Sequence, residues 1–243
     1  MREHRAAATT AGILYITGTM AGVLSTVVSA PVRDAADPLA AAVEHPGVVV
    51  TGALLVLLMG LSVAFVPVVL FPVLRRAGEL LALGYLIVRG AVETGCYVIL
   101  AIGWLLLVPL GEAVAAGPGT ASPAGVLVGK LVIDADATNA VLALVFCFGA
   151  ALFYVLLYRS RIVPRWISVW GLIAIPVYVA ADVLAMYAVF APNATEQVLM
   201  FLPLAIQEMV LAVWLIARGL RPGTISATLG TGDGPPAIPR TNG

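Results

Sequence analysis

The stretch of residues 80–109 limits the fold more than any other part of the chain. It is long and apolar enough to cross a bilayer, yet it carries Arg89 and Glu93 near its middle. A charge at that depth costs at least ~2.5–3.5 kcal/mol, so it needs a partner or a function. Because the two residues are four positions apart, both side chains lie on one face of a helix. Other helices must cover that face, and the sequence therefore predicts a membrane-embedded helix bundle.

The composition excludes a soluble domain. Of the 243 residues, 61% are hydrophobic and 11% are charged, whereas soluble domains have ~45–50% apolar and ~25% charged residues. At roughly 20 residues per crossing, this length accommodates six or seven spans and leaves little for a domain outside the membrane. No basic domain is present to neutralise phosphates, so nucleic acid is not an expected partner.

We predict an all-α, polytopic integral membrane bundle of six transmembrane helices within residues 1–221, followed by a disordered tail over residues 222–243 that is rich in Gly, Pro and Thr. The predicted spans are residues 11–30, 47–69, 80–109, 131–158, 166–190 and 196–217.

The first apolar run also resembles a signal peptide, because Val28, Ser29 and Ala30 form a small-residue cleavage pattern. Pro31 would hinder cleavage, and the run is long for a signal peptide, so we interpret it as a retained span. Gly18 and Gly22 give this helix a flat face for close packing. Packing within the chain is the favoured reading, and dimerisation is the alternative.

The basic residues predict the orientation. With six spans, only Arg33 and Lys130 fall on one side, which we assign to the outside. Both termini are then cytoplasmic, and the protein is expected in the cell membrane. The other side carries Arg2, Arg5, Arg75, Arg76, Arg159, Arg161, Arg165, Arg218 and Arg221.

The connecting segments carry capping signals and no recognisable catalytic motif. Asp37 and Pro38 predict the cap and first residue of a short surface helix. Residues 111–130, rich in Gly, Ala and Pro, are read as a loop, and Thr195 as the cap of the sixth helix. Negatively charged side chains favour a helix start, so a capping role is preferred for a polar cluster at the fourth span. This cluster comprises Asp134, Asp136 and Asn139.

Metal and redox chemistry are not expected. His4 and His45 lie on opposite sides of the predicted membrane, so they cannot share a metal ion, and neither can ligate an intramembrane haem. Cys96 and Cys147 lie in apolar runs, where a structural disulfide is not expected. We therefore predict neither a cofactor nor a metal site.

Three segments resemble a family of bacterial six-helix membrane proteins, domain-of-unknown-function family 4386. They are PVLRRAGELLALGYLIVRGAVE, YRSRIVPRWISVWGLI and QEMVLAVWLIARGL, and the second is the most specific. The resemblance covers approximately residues 5–220. It implies that the first span is retained and that six helices are present, but it carries no activity or catalytic residue to this chain.

Four ionisable residues are predicted to share one central layer of the bundle. From the helix rise, Arg89 and Glu208 lie ~13–15 Å from the arginine-rich side, and Glu93 and Asp182 lie ~20–25 Å from it. All four must face inward, because exposing them to lipid is costly. The third, fifth and sixth helices are therefore expected to be neighbours around a polar centre.

One cation faces three carboxylates in this prediction, and such an excess is typical of proton, ion or substrate pathways. The leading hypothesis is a transporter or sensor of a small solute or a proton that uses Arg89, Glu93, Asp182 and Glu208. The alternative is a membrane scaffold or accessory subunit whose ion pairs only fix helix packing. An intramembrane enzyme is disfavoured, because no intramembrane histidine could activate the serines of the spans. Those serines are Ser25, Ser29, Ser62 and Ser168.

Overall fold

The fold is entirely helical over the residues described by a computed structural model of the chain, which are 2–116, 123–134, 136–189 and 194–220. Helices α1 to α9 are Arg2–Arg33, Pro38–Glu44, Pro46–Leu74, Glu79–Ile87, Thr94–Ala115, Pro123–Asp134, Asp136–Ser160, Arg165–Met186 and Thr195–Ala217. A π-helical turn, Val88–Glu93, joins α4 to α5. Predictions for Arg221, the tail 222–243 and the side chains of Asp134 and Asp136 lie outside the described residues.

Among the residues that the structure describes, six helical segments are long and apolar enough to cross a membrane, which confirms the predicted span count. They are His4–Arg33, Pro46–Leu74, Glu79–Ala115, Asn139–Ser160, Arg165–Met186 and Thr195–Ala217. Their outer faces expose large apolar side chains, and Leu54, Ile99 and Ile173 are 59%, 60% and 65% exposed. Soluble monomers rarely expose continuous apolar surfaces of this kind. The chain is therefore built as a multi-pass membrane protein.

The six spans form a closed ring in chain order. Each span packs against the next, and α9 packs against α1. The expectation that the third, fifth and sixth spans are neighbours is confirmed for the fifth and sixth, which pack as α8 and α9, and is wrong for the third. The third span packs between α3 and α7, across the ring from α9. Long side chains of the third and sixth spans meet across the centre of the ring instead. Opposite charges can therefore pair without their helices being adjacent.

Small residues allow the α1 backbone to approach both of its neighbours. A Cβ added at Gly18 would lie 3.4 Å from the Ser62 Cβ of α3, and one added at Gly22 would lie 2.6 Å from the Met59 sulfur. On the other side, a Cβ at Gly12 would lie 2.6 Å from the Ala212 carbonyl oxygen of α9. Close backbone approach is how helices associate when lipid is as apolar as their side chains. The reading of the glycine face as packing within the chain is confirmed.

Several predicted helix ends are wrong, because prolines do not end these helices. Helix α1 continues through Pro31 to Arg33, α3 through Pro72 to Leu74, and α5 through Pro109 to Ala115. A proline removes only one helical hydrogen bond, and neighbouring helices tolerate this in a membrane. The fifth span ends at Met186, before the predicted residue 190.

The segment predicted as a loop over residues 111–130 is largely helical. Residues 111–115 complete α5, and α6 begins at Pro123, whose fixed backbone angle suits a first helical position. Residues 131–134 belong to α6, so the predicted start of the fourth span at residue 131 is also wrong. Among the described residues, only 116 lies between these helices without a helical assignment.

A small helical cap closes the end of the ring opposite the arginines. Helix α2 packs against α5 and α6 around a buried apolar cluster that includes Leu39 and Leu107. As predicted, Asp37 caps α2, and its Oδ1 accepts a hydrogen bond from the Ala40 N–H at 3.1 Å. The corresponding prediction for Thr195 is wrong, since Ala194 occupies the cap position of α9 and makes no side-chain cap bond.

Candidate functional site

The buried charges of the third and sixth spans meet at the centre of the ring. The Arg89 Nη2 donates a hydrogen bond to Glu208 Oε1 at 3.3 Å, and Arg89 Nη1 lies 3.7 Å from Glu93 Oε2. The Arg89 and Glu93 side chains are 2% and 1% exposed, whereas that of Glu208 is 14% exposed. The Arg89 guanidinium thus lies between two carboxylates. The low dielectric constant of this buried site strengthens their electrostatic interactions.

Both buried charged residues of the third span, Arg89 and Glu93, lie in the π-helical turn. Val88–Glu93 is the only part of the span that leaves α-helical geometry. The Thr94 hydroxyl donates to the Arg89 carbonyl oxygen at 3.2 Å, which gives a partner to a backbone acceptor within the turn. Gly149 of α7 lies opposite, and a Cβ there would be 3.8 Å from the Arg89 Cβ. Such π-helical turns frequently occur at functional sites.

Two aromatic rings hold the guanidinium. The Arg89 Cζ lies 5.5 Å from the ring centroid of Tyr15 on α1 and 5.0 Å from that of Phe146 on α7. The Tyr15 hydroxyl lies 3.5 Å from that of Tyr85, whose ring stacks on Phe153 with centroids 4.7 Å apart. Desolvated cation–π contacts contribute up to ~2 kcal/mol each. The position of Arg89 is therefore set by α1, α7 and α9 as well as by its own helix.

The polar atoms of this centre are only partly satisfied. Within the part of the chain that the structure describes, Arg89 Nε and Nη1 have no hydrogen-bond acceptor, and neither oxygen of Glu93 has a donor. A buried donor or acceptor left without a partner costs ~1–3 kcal/mol, and more when the group is charged. Groups of this kind are retained where water, a proton or a ligand completes them.

A cavity of about 240 Å³ adjoins the ion pairs. All six spans contribute to its lining, and one residue from each is Tyr15, Met59, Arg89, Phe146, Tyr178 and Glu208. Glu93 does not line it, and Glu208 therefore presents the carboxylate of the centre to the cavity. Ligand sites for drug-sized molecules typically measure ~300–1,000 Å³, so this cavity suits a small solute.

Asp182 does not join the other three predicted site residues. It lies four residues before the end of α8, where its Oδ1 accepts a hydrogen bond from Gln197 Nε2 at 3.2 Å. Gln197 is the third residue of α9, at the capped end of the ring. The sequence placed Asp182 at a similar depth to Glu93 but could not show which way it faced. Its Oδ2 is buried without a hydrogen-bond partner among the described residues.

Two parts of the centre were missed by the sequence reasoning. One is the aromatic pair of Tyr15 and Phe146, whose spacing in the sequence is that of ordinary apolar core residues and does not indicate a contact with Arg89. The other is Gln207, fully buried, whose Nε2 donates to the Ile167 carbonyl oxygen at 2.9 Å and whose Oε1 accepts from the Tyr154 hydroxyl. An amide beside Glu208 in an otherwise apolar helix was the available signal. Gln207 thus joins α7, α8 and α9, and it is not among the residues that line the cavity.

Asn139 also has a different position from the one expected of a capping residue. It lies three residues inside α7 and lines the central cavity. Among the described residues, no group of three or more His, Cys, Asp or Glu is arranged to hold a metal ion. The polar lining of the cavity is thus Glu208 and Arg89 with hydroxyl and amide groups.

Comparison with known proteins identifies a family of sequences. The sequence model of a domain of unknown function, DUF4386, matches residues 10–219. Neither the search of curated proteins nor that of solved structures found a match.

Proposed function

The chain belongs to the DUF4386 family, whose name assigns no activity, and from the geometry of its centre we propose that it moves or senses a small solute or a proton through the membrane. The proposed site is Arg89, Glu93 and Glu208, with Asp182 as a separate acidic group nearer the capped end. The proposed location is the cell membrane, with the arginine-rich end in the cytoplasm.

The observation that carries this proposal is the cavity beside an incompletely satisfied ion-pair cluster. A purely structural cluster contributes most to stability when every donor and acceptor is hydrogen-bonded, since buried groups without a partner lower stability. Here, Arg89 lines about 240 Å³ of space and keeps two nitrogens without a hydrogen-bond acceptor, and Glu93, its ion-pair partner, has no hydrogen-bond donor among the described residues. Intramembrane ionisable residues beside such a space are typical of proton and solute pathways.

The arrangement also has a feature that favours a scaffold. The Arg89–Glu208 hydrogen bond joins opposite sides of the ring, and such a bond can fix helix register without any transport. Polar contacts between membrane helices average only ~0.6 kcal/mol, so a packing role would show chiefly as a modest loss of stability. The two functions therefore make different predictions for flux.

Proton flux in reconstituted vesicles tests the proposal. Vesicles enclosing a pH-sensitive dye would carry the wild type, Glu93→Gln, Glu208→Gln or Asp182→Asn, with Glu196→Gln as the matched control. Glu196 is an exposed residue in the first turn of α9, so it offers the same chemical change on the same helix away from the centre. We expect Glu93→Gln and Glu208→Gln to reduce passive or solute-driven proton flux, and Glu196→Gln to retain it. Wild-type flux in all three site variants would refute transport, and a lower unfolding temperature alone would favour the scaffold.

A further inference from the structure

The charge balance of the centre indicates what kind of solute would complete it. Arginine stays protonated under all physiological conditions. With both glutamates ionised, Arg89, Glu93 and Glu208 together carry one excess negative charge. An uncompensated charge is costly in a poorly solvated site. One proton or one monovalent cation would bring the cluster to neutrality.

Only one of the two carboxylates is placed to meet a solute in the cavity. Glu208 lines the cavity and is 14% exposed, whereas Glu93 is 1% exposed, does not line the cavity and lies 3.7 Å from Arg89 Nη1. A cation entering the cavity would contact Glu208, and Glu93 would remain with Arg89. The two glutamates thus have different surroundings: Glu208 faces the cavity, and Glu93 faces Arg89.

An anion fits this centre less well. Arg89 is the cation available to it, and the two nitrogens Nη1 and Nη2 already face Glu93 and Glu208. The guanidinium also contacts the rings of Tyr15 and Phe146, whose centroids lie 5.5 and 5.0 Å from its Cζ. An anion would have to displace a carboxylate and would then add to the excess negative charge.

The walls of the cavity favour an organic cation over a divalent metal ion. The lining includes four aromatic side chains and a methionine, namely Tyr15, Tyr97, Phe146, Tyr178 and Met59. Aromatic faces attract ammonium groups that carry apolar substituents, and a thioether packs well against such groups. Ca²⁺ takes six to eight oxygen ligands, several of them carboxylates, whereas Glu208 is the one carboxylate in the described lining.

We propose that the central cavity binds a small organic monocation, such as a substituted ammonium ion, against Glu208 in exchange for a proton of the glutamate pair. This inference rests on the proposed function, since it names the class of solute that the same site takes. Binding is the replacement of one positive charge by another. The proton leaves for the solvent, and no covalent bond in the solute is made or broken.

Calorimetric titration of the purified protein with benzyltrimethylammonium tests the inference. This ion is permanently charged, so any proton released on binding comes from the protein. Titration in two buffers of different ionisation enthalpy gives the number of protons released. We expect saturable binding with release of up to about one proton per bound ion. Glu208→Gln is expected to weaken binding by about tenfold or more, whereas Glu208→Asp, which keeps the charge, should retain proton release, and Glu196→Gln should bind as the wild type does.

One further variant and one further probe separate the possible failures. Phe146→Leu should weaken benzyltrimethylammonium binding several-fold by removing one ring, while proton release on saturation persists. Absence of binding, or equal affinity in the wild type and a folded Glu208→Gln variant, would overturn the inference. Binding of benzenesulfonate with proton uptake would also overturn it but would leave the proposed function standing. The vesicle measurement tests the proposed function without any organic cation. A failure of the organic-cation inference therefore does not imply a failure of the proposed function.

Discussion

Replacing Arg89 with methionine removes the cation that neutralises the centre and retains most of the side-chain volume. Glu93 and Glu208 then lose their partner, and the two aromatic contacts at 5.5 and 5.0 Å are lost. Breaking a buried ion pair by removing one partner typically costs ~3–5 kcal/mol. We therefore expect Arg89→Met to lower the free energy of unfolding by about 3–5 kcal/mol, because the penalty is set by the remaining buried charges.

The combined variant Arg89→Met, Glu93→Gln, Glu208→Gln makes this prediction specific. Replacing a whole buried ion cluster with neutral groups is often neutral or stabilising, so the triple variant should be more stable than Arg89→Met alone. If packing of the long side chain were the main contribution, the triple variant would be no more stable than the single one.

Unfolding by SDS in mixed micelles, followed by circular dichroism, gives the required free energies. Arg165→Met is the matched control. Arg165 also lies over an aromatic ring, with its Cζ 4.9 Å from the Tyr158 centroid, but it is exposed at the arginine-rich end. We expect that control to change stability by less than about 1 kcal/mol. Equal losses for the two single substitutions would refute the reasoning from buried charge.

Three further predictions concern regions outside the centre. Gly12→Ala should destabilise the bundle by about 1–3 kcal/mol, because the new Cβ meets the backbone of α9, whereas Gly95→Ala, with nothing within 4 Å, should be neutral or stabilising in the same unfolding assay. Asp37→Ala should cost ~0.5–2 kcal/mol and increase amide hydrogen exchange in α2, because the cap bond to its first turn is lost. The hydrogen bond from Arg33 lowers the pKa of Asp34, so Arg33→Gln should raise that pKa towards its ordinary value in a carboxyl NMR titration. The contribution of this bond is present above the unfolded-state pKa of Asp34 and is lost as the pH falls through the folded-state pKa.

The sequence was most informative where hydrophobic length and charge cost act locally. Six spans, the glycine face of α1 and the Asp37 cap could be predicted, because each depends on residues close together in the chain. The pairing of Arg89 with Glu93 also follows from their spacing. Helix ends were predicted less well, because Pro31, Pro72 and Pro109 stop isolated helices but are tolerated within packed ones.

The arrangement around the centre depends on the direction of each side chain, which depth alone does not give. Depth placed Asp182 beside Glu93, yet the rotation of α8 directs it to Gln197. Likewise, Arg89 and Glu208 were predicted at a similar depth on neighbouring helices, but the structure joins them across the ring. The roles of Tyr15 and Phe146 could not be predicted, because an aromatic residue beside a cation has the same sequence pattern as one in an apolar core.

The ring order has a consequence for biosynthesis. Arg89 and Glu208 are 119 residues apart in sequence, and they belong to the third and the sixth of the described spans. At a translation rate of ~5–20 residues per second, Glu208 is synthesised on the order of 10 s after Arg89. During this interval Glu93, one helical turn away, is the counter-ion that can enter the translocon together with Arg89. Glu93 thus neutralises Arg89 before Glu208 has been synthesised.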